Sequence, residues 1–162
     1  MVKAYLAFGS NLGDKTRYIK DAYTLLERSG KILILKKSGF YFSKAYGDDA
    51  LNDFINSVCE VETEFSPVEL LDFLKNTEKF LGRNQTHSKR YENRQIDIDI
   101  LFYGDEKFSE KDLVIPHKDI ENRDFVLVPL KEIAPEKILP SGRSIDEALG
   151  LINNTTKVVA DE

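Results

Sequence analysis

The sequence predicts an α+β domain built on an antiparallel sheet with helices on one face. Its apolar segments follow the order strand, helix, strand, strand, helix, strand, and further elements follow toward the C-terminus. Local capping signals mark the helices, and the chain contains no repeat and no linker. This order is the split βαβ arrangement of ferredoxin-like domains. With 162 residues, the chain is expected to form a single domain over residues 1–162.

The first strand and the first helix are separated by a glycine turn. Residues 4–8 form a short apolar run that ends at Gly9, which is typical of a buried strand opening into a turn. Asp14 can cap the helix that follows, and Gly30 can end it in the left-handed conformation. The apolar residues at helical spacing are Ile19, Ala22, Tyr23 and Leu26.

Two segments rich in β-branched and aromatic residues, 32–42 and 54–62, predict neighbouring antiparallel strands. Gly39 is expected to mark a bulge in the first of them. Residues 95–103 predict a further strand, because apolar and polar residues alternate there. An irregular segment containing proline follows.

Two capping boxes predict the later helices. Ser66 and Glu69 flank Pro67, which is favoured at the first helical position, and leucines recur at helical spacing behind them. Ser144 and Glu147 repeat the same box near the C-terminus. Each box satisfies backbone N–H groups that a helix start leaves unpaired, so each predicts where its helix begins.

Composition excludes several functional classes. With 23 basic and 28 acidic residues the net charge is −5, which disfavours general binding to nucleic acids or anionic membranes. Apolar stretches such as 32–35 are too short to span a bilayer, and the N-terminus lacks the apolar core of a signal peptide. Cys59 is the single cysteine, which excludes an internal disulfide and a cysteine-rich metal site. We expect a cytoplasmic monomer.

Two aspartates alternate with isoleucines in the strand at 95–103. A period of two places Asp97 and Asp99 on one face, with Cα atoms roughly 6.6 Å apart at a rise of about 3.3 Å per residue. Such a pair can hold hard cations with oxygen ligands. The alternative is the wet face of a half-covered sheet. Because aspartate is rare in strands and the same face continues apolar at Leu101, we favour a functional pair.

A basic segment precedes this acidic strand. Residues 83–94 hold four fixed cations and one acid, against the sign of the whole chain. Long polar loops are either binding loops and lids or solvated connections. Since carboxylates for a metal and arginines for phosphoryl oxygens adjoin here, the combination predicts a site for magnesium-bound polyphosphate. We expect this loop to be poorly ordered until ligands bind.

The segment from Gly9 to Thr16 superficially resembles a phosphate-binding P-loop. The spacing is wrong, because three residues instead of four separate the glycines and Asp14 displaces Lys15 from its place after Gly13. A strand-to-helix turn that needs glycine geometry, capped by Asp14, is the favoured interpretation.

Six phrases in order, spread over nearly the whole chain, resemble the 6-hydroxymethyl-7,8-dihydropterin pyrophosphokinase family. The arginine followed by the paired aspartates is the most specific of them. The phrases are AFGSNLGD (7–14), NSV (56–58), LGR (81–83), RQIDIDILF (94–102), IPH (115–117) and NRDFVLVPL (122–130). The resemblance implies a ferredoxin-like fold and transfer of the terminal diphosphate of ATP to a pterin hydroxymethyl group in folate biosynthesis, leaving AMP.

The resemblance also implies roles for individual residues. Asp97 and Asp99 would hold two magnesium ions that bridge the ATP phosphates. Arg83 and Arg94 would be catalytic lid cations that neutralise charge on the transferred group.

For ATP, the resemblance implies phosphate contacts from His117 and Arg123, a position for Glu78 near the nucleotide, and a backbone grip on adenine around Ile100. From the residues alone, the favoured interpretation is that His117 and Arg123 are surface groups and that Glu78 is a solvated acid in the last turn of its helix.

For the pterin, the resemblance implies aromatic stacking and an amide that offers both a donor and an acceptor. Two departures from the family pattern stand out: Lys44 replaces a common proline, and Tyr91 replaces a common lid tryptophan. The pterin-binding residues implied are Ser43, Tyr46, Phe54, Asn56 and Phe125.

A non-catalytic alternative is a ferredoxin-like module that senses a small molecule or binds nucleic acid, since fold does not fix function. The acidic pair would repel nucleic-acid phosphates unless a metal intervened, and a sensor has no need of a cationic lid. Binding of an ATP analogue that requires magnesium and Asp97 separates the two interpretations.

Overall fold

The computed structural model describes residues 1–45, 52–82 and 95–161. Within these ranges no helix is long and apolar enough to cross a membrane. The predicted α+β class with an antiparallel sheet is confirmed. In chain order the elements are β1 (Val2–Ser10), α1 (Lys15–Arg28), β2 (Ile32–Lys37), β3 (Tyr41–Ser43), β4 (Phe54–Thr63), α2 (Pro67–Phe80), β5 (Asp97–Tyr103), β6 (Phe108–Glu110), β7 (Leu113–Ile115), a 3₁₀ helix (Ile120–Asn122), α3 (Asp124–Ile133), α4 (Ile145–Leu151) and β8 (Val159–Ala160).

The main sheet has the strand order β5-β1-β4-β3-β8 within the described ranges, and β2 also pairs with β4. All of these pairs are antiparallel. Alternation along β1 sends Leu6 and Phe8 into one apolar cluster and Tyr5 and Ala7 into another. The sheet therefore separates two cores.

Helices α1 and α2 cover the first face. Asp14 caps α1, its Oδ1 accepting from the N–H of Arg17 at 3.3 Å. Ser66 and Glu69 form the predicted capping box at the start of α2. The predicted starts of both helices are confirmed. The buried side chains of α1 are Ile19, Ala22, Tyr23 and Leu26, as the spacing predicts.

Helices α3 and α4 cover the second face, whereas the sequence predicted helices on one face together with further C-terminal elements. This face is apolar across Tyr5, Leu101 and Phe102, and burying it requires a second layer. Within α3, Val126 and neighbouring side chains pack against these residues. Helix α3 was not predicted, because Pro129, which lacks the N–H of a helical residue, lies inside it. The capping box at the start of α4 is confirmed.

The predicted strand over 32–42 is divided into β2 and β3. Ser38 lies at the break and stays attached to β4, because its backbone N–H donates to the carbonyl of Val58 and its Oγ accepts from the Val58 N–H, both at 2.9 Å. One register shift lies between Ile34 and Lys36. A second shift of one residue lies between Lys37, which pairs with Cys59, and Tyr41, which pairs with Asn56, so the irregularity predicted at Gly39 agrees with the pairing.

Candidate active site

The acidic pair lies where β1 ends and where β4 and β5 begin. Asp97 pairs with Gly9 and Asp99 with Ala7 in the β1–β5 register, so both carboxylates share the second face of the sheet. Gly9 also pairs with Asn56 on β4. Asp97, Gly9 and Asn56 thus form one row across three strands. Because its central residue has no side chain, the row leaves a shallow floor between a carboxylate and an amide.

Gly9 therefore lies inside β1 and does not form the turn that the sequence analysis predicted for it. The turn glycine is Gly13, whose φ of +76° is one that L-residues with a Cβ rarely adopt. This geometry agrees with the rejection of a P-loop, since Asp14 serves as the helix cap.

Asp99 lies beside two groups from the segment that follows β7. Its Oδ2 is 3.5 Å from Nη1 of Arg123 and 3.8 Å from Nε2 of His117. The other guanidinium nitrogen, Nη2 of Arg123, is 3.5 Å from Oδ2 of Asp119. All of these side chains are partly exposed, from 17% for His117 to 34% for Asp99. The site therefore offers carboxylates and cationic or N–H donors at one opening.

The hydrogen bonds of His117 fix its orientation. Its Nδ1 accepts from the backbone N–H of Asp119 at 3.1 Å, and its own backbone N–H donates to the carbonyl of Leu101 at 3.0 Å. The neutral ring therefore carries its proton on Nε2, the atom that faces Asp99. Burial, followed by the charge of Arg123, lowers the pKa of His117 to about 4. At neutral pH the residue is an uncharged N–H donor.

Arg123 and Phe125 flank the start of α3. Arg123 immediately precedes the helix, and its guanidinium carbon lies 5.7 Å from the centroid of the Phe125 ring. This distance is within the range of a cation–π contact. The start of α3 thus brings a cation to Asp99, and the ring of Phe125 lies against that cation.

The amide side of the site lies on β3 and β4. Asn56 is 4% exposed, and its Nδ2 donates to Oγ of Ser43 at 2.8 Å and to the carbonyl of Tyr41 at 3.2 Å. Phe54 pairs with Ser43 and is half-buried. A Cβ placed on Gly9 would lie 3.5 Å from the ring of Phe54 and 3.7 Å from Oδ1 of Asn56. An aromatic ring and a buried amide therefore border the glycine floor.

Glu78 and the side chain of Ile100 lie on the first face of the sheet, opposite the acidic pair. Glu78 is 2% exposed, and its Oε2 accepts from the N–H of Ile98 at 2.7 Å, so it is not the solvated acid of the alternative interpretation. This bond holds β5 at the residue between Asp97 and Asp99. The side chain of Ile100 is buried in the first cluster.

Several predicted site residues lie outside the described ranges: Tyr46, Arg83, Tyr91 and Arg94. Sequence reasoning missed two residues that the geometry brings to the site. Gly9 was assigned to a turn, and only the three-strand register reveals its place in the floor. Asp119 follows His117 by two residues and carries no periodic signal.

Magnesium suits the donor set that the site offers. Among residues 1–45, 52–82 and 95–161, no group of three or more His, Cys, Asp and Glu side chains could hold a metal ion. A pair of carboxylates is nevertheless what magnesium commonly takes from a protein, since substrate phosphates and water supply its remaining ligands. Asp97 and Asp99 fit a metal that arrives with a polyphosphate, and they do not form a closed structural centre.

Comparison with known proteins identifies relatives of this chain. The 2-amino-4-hydroxy-6-hydroxymethyldihydropteridine pyrophosphokinase of Haemophilus influenzae is 40% identical over 147 residues, covering 91% of each chain. The bifunctional protein FolKE of Lactococcus lactis subsp. cremoris is 42% identical over 133 residues, covering 82% of this chain and 38% of the relative.

Among solved structures, a Plasmodium falciparum HPPK-DHPS has a similar fold, with a TM-score of 0.64 and 18% identity over 93% of this chain and 43% of that one. Such low identity supports the fold alone. The sequence profile described as 7,8-dihydro-6-hydroxymethylpterin-pyrophosphokinase (HPPK) matches residues 5–135. The chain therefore belongs to the 7,8-dihydro-6-hydroxymethylpterin-pyrophosphokinase family.

Proposed function

We propose that this pyrophosphokinase transfers the terminal diphosphate of ATP to the hydroxymethyl group of 6-hydroxymethyl-7,8-dihydropterin, a step of folate biosynthesis. The hydroxyl oxygen would attack the β-phosphorus, the bond from that phosphorus to the α-β bridging oxygen would break, and AMP would leave while the hydroxyl proton is lost. The observation that carries the proposal is the row Asp97, Gly9 and Asn56. It sets a metal-binding carboxylate beside a flat, amide-bordered floor.

Asp97 and Asp99 would hold two magnesium ions, which would supply charge neutralisation for the polyphosphate. His117 would donate its Nε2 proton to a phosphoryl oxygen, and Arg123 would offer its guanidinium to the same group. Their contacts with Asp99 support this role, because a phosphate placed at the acidic pair would lie within their reach. Glu78 would act indirectly, because its hydrogen bond to the backbone N–H of Ile98 holds the strand that carries both acids.

The pterin would lie over Gly9, between the rings of Phe54 and Phe125. Asn56 and Ser43, linked by a hydrogen bond, would meet its polar edge. Holding the hydroxymethyl oxygen in line with the β-phosphorus is the main contribution that such an enzyme can make, because phosphoryl transfer needs positioning and charge stabilisation more than covalent chemistry.

Four residues outside the described ranges and one backbone contact within them complete the proposal. Arg83 and Arg94 would neutralise charge on the transferred group, Tyr91 would stack in the lid, and Tyr46 would contact the pterin. The backbone at Ile100 would contact adenine. We expect amide exchange over 83–94 to slow when an ATP analogue and the pterin are both bound, and unchanged exchange would contradict a closing lid.

The architectural part of the proposal is a ferredoxin-like core made of β1, α1, β2, β4, α2 and β5. The order β5-β1-β4 with β2 also on β4 supports it. We further propose that the chain acts as a cytoplasmic monomer and a single domain.

A direct assay tests the function. Purified protein with magnesium, ATP and 6-hydroxymethyl-7,8-dihydropterin should release AMP, and no AMP should form without the pterin or with EDTA present. Asp97→Ala should abolish both AMP release and magnesium-dependent binding of a non-hydrolysable ATP analogue. Asp112→Ala, at an exposed acid between β6 and β7, is the matched control and should behave as wild type. Analogue binding that needs no magnesium and is unchanged in Asp97→Ala would favour a non-catalytic sensor.

A further inference from the structure

The C-terminal segment contacts residues that border the site, although it lies beyond the family match at 5–135. Thr156 is 4% exposed, whereas Thr155 and Lys157 on either side of it are exposed. The segment then continues into β8, which pairs with β3. One inward-facing threonine is thus built into an otherwise exposed stretch of chain.

Thr156 engages both oxygens of one buried carboxylate. Its backbone N–H donates to Oδ2 of Asp124 at 2.7 Å, and its Oγ1 donates to Oδ1 of Asp124 at 2.5 Å. Asp124 is 6% exposed and is the first residue of α3. It stands between Arg123 and Phe125, which face ATP and the pterin in the proposed function. The bond pair therefore anchors the chain at the point where both side chains originate.

The backbone carbonyl of Thr156 holds the other side of the site. It accepts from the N–H of Lys44 at 2.7 Å, and Lys44 directly follows Ser43, the partner of Asn56. Lys44 is also the position at which the sequence departs from an expected proline. Since proline has no N–H, it could not make this bond. A single residue therefore ties the start of α3 to the end of β3.

We propose that Thr156 and Asp124 are positioning residues that set the spacing between the α3 side of the cleft, with Arg123 and Phe125, and the β3 side, with Ser43. This inference rests on the proposed function. Its physical basis is that a buried carboxylate satisfied by two donors has one low-energy position, and that small displacements of aligned reactants cost large factors in rate.

Thr156→Val is the central test, because it keeps the shape and both backbone bonds and removes the donor to Oδ1. We expect kcat/KM to fall about 10- to 100-fold, with KM rising for both substrates. Thr156→Ser should restore both parameters, and Thr155→Val, at the exposed neighbour, should leave them unchanged. Ser66→Ala, which removes the remote cap of α2, serves as a control for stability: it should lower the Tm without changing KM.

Lys44→Pro against Lys44→Ala tests the second bond. The proline variant lacks the N–H and should raise KM for the pterin more than KM for ATP, whereas the alanine variant keeps the N–H and loses only the ion pair with Asp53. The inference is wrong if Thr156→Val keeps wild-type kinetics, or if its losses merely match those of Ser66→Ala at an equal drop in Tm.

A readout independent of catalysis is amide exchange in the unliganded protein. Thr156→Val should speed exchange of the Lys44 N–H and of the first N–H groups of α3, and Thr155→Val should not. If the wild type forms no AMP, the proposed function fails, and amide exchange alone then decides whether Thr156 and Asp124 anchor the two sides of the cleft. Faster exchange confined to those amides supports the anchoring of both sides, and unchanged exchange overturns it.

Discussion

Nη1 of Arg123 lies 3.5 Å from Oδ2 of Asp99, so a cation from the start of α3 contacts one member of the acidic pair on β5. The same guanidinium group also reaches Asp119. In the proposed reaction, Asp99 would hold a metal ion in place of its contact with Arg123, and Arg123 would then be available to a phosphoryl oxygen. Metal binding and nucleotide binding would be linked through this shared contact.

The first prediction concerns Arg123. Arg123→Ala removes a preorganised charged donor from the site, and we expect kcat/KM to fall roughly 10²- to 10³-fold, with weaker binding of the ATP analogue. Calorimetric titration with the analogue and steady-state assays measure the two effects. Arg143→Ala is the matched control, because Arg143 is exposed and pairs with Glu121 instead of with Asp97 or Asp99. Equal losses in both variants would contradict a role for Arg123 at the phosphates.

The fold was predictable where its signals are local. The capping boxes that begin with Ser66 and Ser144 each lie within four residues, so the sequence alone marks those helix starts. Helix α3 was missed because Pro129 argues against a helix, and packing against the sheet outweighs that local preference. The bond between Asp124 and Thr156 joins residues 32 apart in sequence, and no periodicity predicts such a contact.

The site residues likewise divide into those that a local pattern predicts and those that only the folded structure reveals. The alternation around Asp97 and Asp99 follows from strand geometry and was predictable from the residues. His117 lies in a segment without a helical or strand period, so it could be named only through resemblance to a family. The place of Gly9 depends on the register of three strands, which a single sequence does not display. The lid residues stay predictions.

A second prediction concerns Cys59, the single cysteine. It is fully buried, and burial raises the pKa of its thiol to about 12. Because the thiolate is the reactive form, we expect almost no reaction with a disulfide reagent in native buffer at mildly alkaline pH, and one equivalent in denaturant. Rapid labelling of the native protein would show that the first core opens readily.

A third prediction concerns the capping box of α2. Hydrogen bonds from the backbone and hydroxyl of Ser66 lower the pKa of Glu69 below its ordinary 4.5. A carboxyl with a depressed folded-state pKa contributes stability above its unfolded pKa, and this contribution is lost as the pH falls through the folded value. Glu69→Ala should therefore lower the Tm at neutral pH, and the gap to wild type should shrink in acid. A difference in Tm between Glu69→Ala and wild type that stays constant as the pH falls would contradict the cap.

The last prediction concerns the floor of the site. A methyl group on Gly9 would meet Phe54 and Asn56 at 3.5 and 3.7 Å, ordinary contact distances, so Gly9→Ala should fold. Where the backbone tolerates alanine, the change adds about 0.4–1 kcal/mol to the free energy of unfolding by restricting the unfolded chain. The same methyl group would occupy the surface on which the pterin is proposed to lie. We therefore expect pterin affinity to fall about tenfold or more, while the Tm is kept or raised.

Gly150→Ala provides the comparison, because Gly150 is exposed in α4 and, apart from its chain neighbours and the nearby backbone of its own helix, no atom of the described residues would lie within 4 Å of the added methyl group. It should raise the Tm and leave pterin binding unchanged. Isothermal titration with the pterin in the presence of magnesium and an ATP analogue measures the affinities, and calorimetric scanning measures the Tm. Since both variants add the same methyl group, a selective loss in Gly9→Ala reports on the floor itself. Unchanged pterin affinity in Gly9→Ala would place the pterin elsewhere.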